Sequence, residues 1–386
     1  MTWARVPSSS FFDRFPCLKP FKNLTMHSLM HTQIYATIIA MSLGGHEMKL
    51  NFAKLAGVAA LATGAAGFFS GSALAQDYPY RDITTAVVWG AGGGTDTINR
   101  MIMAEMEKHL PVSINVTNKT GGVAGSNGMV YVMNQPDDGY TLVGLSESNV
   151  TAAVQGGWDK KFDFWYPFIV GGSPDLISVP ANSPYSSLTD LIDAAKAAPG
   201  TIPAAASGAG SIHHLNLLAI ENGAGAQFKF VPYKGSAPGQ EAALAGEVAL
   251  VVTSLAEQAA LIEGGKLKPL AMLTEDEAEI AGVSVPSAFD IYEGLDKYLP
   301  LKQAIGFAVH NSTSDDVKIA LGTAFEKAIA GDAVAEWAAA NKYDVGGQHG
   351  SDASKIFETL EANFAYTMKD LGATTVDPAS LGIKKP

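Results

Sequence analysis

At 386 residues the chain is too long for one average domain and comfortable for two. Its 47% apolar and 17% charged residues suit a globular protein and exclude a disordered or fibrous chain. With 38 Asp and Glu against 26 Lys and Arg, the chain is acidic, which disfavours nucleic acid as a partner because phosphates would be repelled.

In chain order, the first signature is an export signal. Lys49 and Lys54 lead an apolar run from Leu55 to Phe69, and Ser72-Ala73-Leu74-Ala75-Gln76 supplies an A-x-A cleavage site after Ala75. The run is shorter than the ~20 residues a bilayer-spanning helix needs. Residues 48–75 are therefore expected to be a cleaved signal peptide, and residues 1–47 a misassigned upstream extension with Met48 as the true start. Cys17 lies upstream of the cleavage site, so disulfides, thiolate metal sites and a lipid anchor at a cleavage-site cysteine are all excluded for 76–386. Removing 1–75 takes away six of the 26 basic and two of the 38 acidic residues, leaving a net charge near −16. An anionic ligand would then have to be held by local groups rather than by a broad field.

The remainder alternates strands and helices. Ile83 to Trp89 reads as a strand, Gly90 to Gly94 as a loop, and Thr95 or Asp96 as the start of a helix with Ile98, Ile102 and Met106 on one face. Val112 to Val116 and Tyr140 to Leu145 read as strands flanking a helix that opens after Gly121-Gly122. A second unit follows: strand Leu176 to Val179, a Ser187-capped helix, strand Ile202 to Ala206, and a helix from Ile212. Strands are expected at Phe228–Val231, Val248–Val252 and Leu267–Leu273. Ile305 to Val309 returns to the first unit, before a helical C-terminal region broken near Gly331 and Gly346. This alternation predicts an α/β fold of two doubly wound domains with parallel strands and crossover helices. Crossings are expected near Leu176–Pro180 and Ile305–Val309, giving domain 1 as 76–177 plus 306–386 and domain 2 as 178–305.

Two glycine loops carry the site-like chemistry. Trp89-Gly90-Ala91-Gly92-Gly93-Gly94-Thr95-Asp96 places backbone N–H groups at the positive end of a helix dipole, where a carboxylate or phosphate is stabilised. It falls short of the dinucleotide fingerprint, which wants a sixth-position glycine and an acidic residue about twenty residues on. Alone, it reads as well as a tight turn whose glycines permit positive φ. Ser207-Gly208-Ala209-Gly210-Ser211 repeats the device before a helix whose first turn carries His213 and His214; either histidine could equally be a helix-face residue bonded to backbone. Together the loops make a pincer for a small anion. Arginine occurs beyond residue 75 only at Arg81 and Arg100, so a guanidinium clamp is nearly absent. No G-x-S-x-G elbow, metal-ligand spacing or catalytic constellation is present, so no catalytic residue, metal or cofactor is assigned. The aromatic cluster from Trp158 to Phe168 reads better as core than as a pocket wall.

Five markers in this order resemble the substrate-binding receptors of tripartite tricarboxylate transporters, the Bug-type receptors. They are Ala91 through Asp96, Asp138-Gly139-Tyr140-Thr141-Leu142, Ser207 through His214, Val231-Pro232-Tyr233-Lys234-Gly235, and Gly264-Gly265-Lys266-Leu267-Lys268. The resemblance runs from about Tyr78 to Leu371. It implies a periplasmic, monomeric binding protein of type II-like architecture, with a ligand carboxylate held by the two glycine loops. Its partners would be a small carboxylate and the membrane permease subunits, or alternatively a membrane sensor kinase. Trp89 stands where relatives usually have Phe, widening the aromatic wall. Thr253 stands where many have an Asp at a strand end, which disfavours ligands bearing a free amine. Thr253 therefore joins Trp89 and the two loops as an expected ligand-site residue.

Overall fold

The computed structural model describes residues 77–299 and 301–386; the expected signal peptide, the upstream extension and Gln76 lie outside the described residues. In chain order, β1 (Ile83–Val87), α1 (Gly94–Glu107), β2 (Ile114–Asn118), α2 (Ser126–Met133) and β3 (Thr141–Leu145) come first. β1 pairs in parallel with both β2 and β3. β4 (Trp165–Gly172) completes this run, and the chain enters a second sheet at β5 (Asp175–Pro180). That sheet adds α3 (Leu188–Ala197), β6 (Pro203–Ala205), α4 (Ile212–Ala224), β7 (Lys229–Val231), α5 (Ser236–Leu244), β8 (Leu250–Ser254), α6 (Leu255–Glu263) and β9 (Leu267–Met272). A short hairpin, β10 (Ala278–Ile280) and β11 (Val283–Val285), follows. The chain then returns to the first sheet as β12 (Ile305–His310) and ends with α7 (Asp315–Ile329), α8 (Asp332–Ala340), β13 (Asp344–Val345) and α9 (Gly350–Asp370).

The two sheets have strand orders β13-β4-β12-β3-β1-β2 and β7-β6-β8-β5-β9. They are mixed rather than wholly parallel: β12 runs antiparallel to β3 and β4, and β5 antiparallel to β8 and β9. The reason is geometric. A strand fed by a crossover helix starts at the far end of its sheet and finishes at the cleft, whereas a strand arriving from the other lobe starts at the cleft and runs away from it. The first passage between sheets is Ser173-Pro174, a little upstream of the expected crossing at Leu176–Pro180, which lies wholly in the second sheet. The return passage ends at Ala304, just before β12. The boundaries drawn at 177/178 and 305/306 therefore fall inside β5 and β12.

Each sheet has an apolar layer on both faces. In β12, Phe307 and Val309 join one layer and Ala308 the other, as the two-residue period of a strand requires. Phe307 stacks on Phe168 with ring centroids 4.5 Å apart, and Phe162 stacks on Phe357 of α9 at 4.1 Å. Trp158, Phe162, Trp165 and Phe168 are buried, so the aromatic cluster is core, each such ring contributing about 1.5–3 kcal/mol by burial. α1 buries Ile98, Ile102, Met103 and Met106. Among the described residues no helix is long and apolar enough to cross a membrane.

Glu361 of α9 is buried beneath the turn at Phe162, whose N–H donates to its Oε1 at 2.8 Å. Burial pushes its carboxyl up to about 7. A carboxyl raised on folding opposes the native state once pH exceeds its ordinary range near 4.5, and the penalty is complete above about 7. Glu361→Gln is expected to match the wild type near pH 4 and to exceed its stability above pH 7, by on the order of 2 kcal/mol in denaturant titrations. Equal stability at both pH values would contradict the assignment.

Candidate functional site

The C-terminal ends of the parallel strands in both sheets feed helices whose N-termini meet between the lobes. Gly94 and Thr95 open α1, Ser211 caps α4, Ser236 opens α5, and Glu257 lies in the first turn of α6. A 3-10 turn at Glu147–Thr151, capped by Ser146, joins them from the end of β3. All of these segments line one cavity of about 20 Å³, room for about one water molecule. Helix starts from both lobes, with their N–H groups and positive dipole ends, converge here beside the buried carboxylates of Glu147 and Glu257.

Of the residues expected at the site, Trp89, Gly93, Gly94, Thr95, Ser207, Ser211 and His213 line the cavity. Ala91 and Gly92 lie on the exposed outer side of the loop. Asp96 points back, accepting from Gly92 N at 2.9 Å, Asn118 Nδ2 at 2.8 Å and Arg100 Nε at 3.0 Å. Burial alone would raise its carboxyl, but those donors hold it below the usual range. It braces the loop and occupies the Gly92 N–H. Gly208 lies beneath the Trp89 indole, where a Cβ would come within 2.9 Å of Cζ3, so only glycine permits this approach. Thr253 accepts from Gln240 Nε2 at 3.0 Å and lies away from the cavity.

The two histidines divide sharply. His214 stacks on Phe230 at 4.0 Å, its Nδ1 accepts from Gly210 N at 3.2 Å, and burial lowers its pKa to about 4. It is a neutral ring that shapes the Ser-Gly loop. His213 is different. Burial opposes its charge, yet Asp175, Glu257 and, more weakly, Glu147 push its pKa up to about 9. Its Nδ1 lies 2.7 Å from Asp175 Oδ2, and its Nε2 3.4 Å from Glu257 Oε2. A cation in the first turn of a helix is disfavoured by the dipole, so this imidazolium depends on its carboxylates.

Residues outside the two expected loops complete the lining: Ser146, Glu147, Ser148, Ser236, Glu257 and Gln303. Glu147 is fully buried, and burial raises its carboxyl. It accepts from Ser148 Oγ at 2.8 Å and from Ala304 N at 2.6 Å, so it grips the return passage between the lobes. Gln303 Oε1 accepts from Ser173 N at 2.9 Å, tying the two passages together, and Ser173 Oγ accepts from Ala256 N of α6 at 3.0 Å. Two acids, Glu147 and Glu257, thus line the cavity, which Thr253 does not reach. The Ser254-x-x-Glu257 spacing marks a capping box in the sequence, and the structure forms one. Glu147 carries no such local signal.

The lobes meet directly. Gly90 N donates to Lys234 O at 2.8 Å, Gly94 N to Glu257 Oε1 at 2.6 Å, and Ala124 N to Ala209 O at 3.0 Å. Ile212 N donates to Ser148 Oγ at 3.0 Å and Thr151 Oγ1 to Gly210 O at 2.7 Å. Ile212 and Leu215 of α4 pack into the same apolar cluster as Trp89 and Val150 of the first lobe. A Cβ on Gly90 would stand 2.9 Å from Lys234 O, so the loop approaches the second lobe only because it is glycine.

A histidine whose pKa rises on folding contributes stability that is fully present below its unfolded value of 6.5 and is lost as pH climbs through about 9. His213→Ala removes that contribution and leaves Asp175 buried without its cation. The variant is expected to lose about 3 kcal/mol at pH 6, and the gap to the wild type should close as pH rises past 9. A penalty independent of pH would show that His213 is neutral in the native protein.

Comparisons with known proteins agree with this geometry. Residues 98–366 match the family model described as "Tripartite tricarboxylate transporter family receptor". The chain is 30% identical over 283 residues to the UPF0065 protein in the gbd 5' region of Cupriavidus necator, covering 72% of this chain and 84% of that one. The periplasmic binding protein BugD superposes with a TM-score of 0.71 at 22% identity, covering 77% of this chain and 99% of that one. R. palustris Rpa4515, solved with adipate, superposes with a TM-score of 0.69 at 26% identity over the same shares. The chain belongs to the tripartite tricarboxylate transporter receptor family.

Proposed function

We propose that this receptor is exported by cleavage after Ala75, captures a small carboxylate between its two lobes, and delivers it as a monomer to the membrane subunits of a tripartite transporter. It performs no chemistry on the ligand. The observation that carries the reading is the meeting of helix N-termini from both lobes around the His213 imidazolium, donors from both sides converging on one point. The adipate bound by Rpa4515 supports the ligand class. Residues 77–172 with 305–386 act as one closing body and residues 175–299 as the other, turning about Ser173-Pro174 and Lys302–Ala304. Ligand contacts to both bodies favour the closed state.

The ligand is an acid without a free amine. The imidazolium of His213 repels an ammonium group. Both oxygens of Glu147 accept from within the protein, from Ser148 Oγ and Ala304 N, and Oε2 of Glu257 is committed to Ser254 and lies 3.4 Å from His213 Nε2. A thermal-shift panel of mono-, di- and tricarboxylic, aromatic and amino acids tests the reading on the purified protein. An acid at ~1,000 times its Kd adds about 4 kcal/mol to the native state, a visible rise in melting temperature. Succinate- or adipate-like acids are expected to shift it more than aspartate or glutamate. A larger shift with the amino acids would overturn the amine exclusion, and cofactor absorbance or turnover of any bound acid would overturn the receptor reading.

A further inference from the structure

We infer that Glu257 is a resident stand-in for the ligand carboxylate: it holds the α1 N-terminus at Gly94 in the ligand-free receptor and must be displaced when an acid is captured. The inference rests on the carboxylate reading of the cleft and adds to it a residue that sets affinity and selectivity.

The geometry separates two jobs of one side chain. Oε2 of Glu257 accepts from Ser254 N and Ser254 Oγ, each at 3.0 Å, which completes the cap of its own helix. Capping needs only that oxygen. Oε1 reaches across the cleft to Gly94 N at 2.6 Å, a partner 163 residues away on the other lobe. Gly94 is the first residue of α1, so its N–H has no acceptor within the helix and sits at the positive end of the dipole. This is the donor the first glycine loop would offer a ligand, and the protein's own anion already has it. A cavity of about 20 Å³ cannot take a ligand carboxylate beside it.

Glu257 travels with the second lobe, so it meets Gly94 only when the lobes are together. The Glu257–Gly94 bond that joins the lobes therefore competes with the ligand. An acid with one carboxylate and no second anchor merely exchanges one anion for another at Gly94. Glu257 Oε2 already lies 3.4 Å from His213 Nε2, so the gain comes from an acid with further groups for the Ser-Gly loop at Ser207 and Ser211, contacts that Glu257 does not make. Glu257 in this way selects against simple monocarboxylates such as acetate. The apparent affinity is the intrinsic one multiplied by the fraction of receptor that is not self-closed.

Two substitutions test the idea. Glu257→Ala removes the stand-in; Glu257→Asp keeps the charge and a helix-capping carboxylate but is one methylene too short to span to Gly94. Calorimetry with the acid giving the largest melting shift is expected to show both variants binding at least about ten-fold tighter than wild type, the scale of one charged hydrogen bond. Discrimination against acetate should shrink in parallel. Small-angle scattering without any acid is expected to find the wild type as compact as its liganded form and both variants more extended. If Glu257→Ala does not fold, Glu257→Asp carries the test alone. Variants that bind no tighter than wild type, or a wild type already extended without acid, would overturn the inference. Failure of every form to bind any acid would instead remove the carboxylate reading, while the ligand-free scattering still decides whether Glu257 latches the lobes.

Discussion

The unpaired N–H groups at the start of an α-helix are the constraint from which this receptor is built. A parallel strand ends at one edge of its sheet, and the helix that follows begins there. Two such sheets facing each other aim their helix starts at a common point. α1 on one side and α4, α5 and α6 on the other place partial positive charge around a space no larger than a water molecule. The glycine loops let the chain come close enough for this: Gly90 against Lys234 O and Gly208 against Trp89 leave no room for a Cβ. No arginine is required, because the backbone supplies the field.

That field is balanced by buried side chains that also touch the moving parts. His213 supplies a full positive charge, fixed by Asp175 of β5. Glu147 binds Ala304 on the return passage, and Ser173 on the outgoing passage holds the first turn of α6, the turn that carries Glu257. The cavity lining and the two passages between the lobes therefore share one hydrogen-bond network. In the proposed closure, a ligand that presses on Glu147 acts on a residue hydrogen-bonded to the return passage, and one that displaces Glu257 acts on the helix turn that Ser173 holds.

The sequence made some of this legible and hid the rest for identifiable reasons. The Ser187 cap, the apolar stripe of α1 and the two glycine loops are local features, and the structure forms each where local chemistry puts it. The family resemblance rested on those two loops together with the stretches 138–142, 231–235 and 264–268. β4 was obscured by Pro167, a residue that argues against a central strand, and by a run of aromatics without alternation. The antiparallel direction of β5 and β12 follows from arrival at the cleft, which no local pattern encodes. Thr253 was expected at the site because of its place at a strand end, yet its hydroxyl is taken by Gln240. Glu257 was readable as the end of a capping box but not as a cleft residue, since its second oxygen meets Gly94 only through tertiary structure. The raised pKa values of Glu147 and His213 come from burial and neighbours, and those are properties of the fold alone.

The central claim is that the cleft beneath Trp89 holds a carboxylate at the α1 N-terminus. A crystal structure of the receptor with its tightest-binding acid tests it most directly. The account predicts a ligand carboxylate oxygen within hydrogen-bonding distance of Gly94 N, with Glu257 withdrawn and His213 Nε2 turned to the ligand. An acid bound elsewhere, with Gly94 N still donating to Glu257, would contradict it.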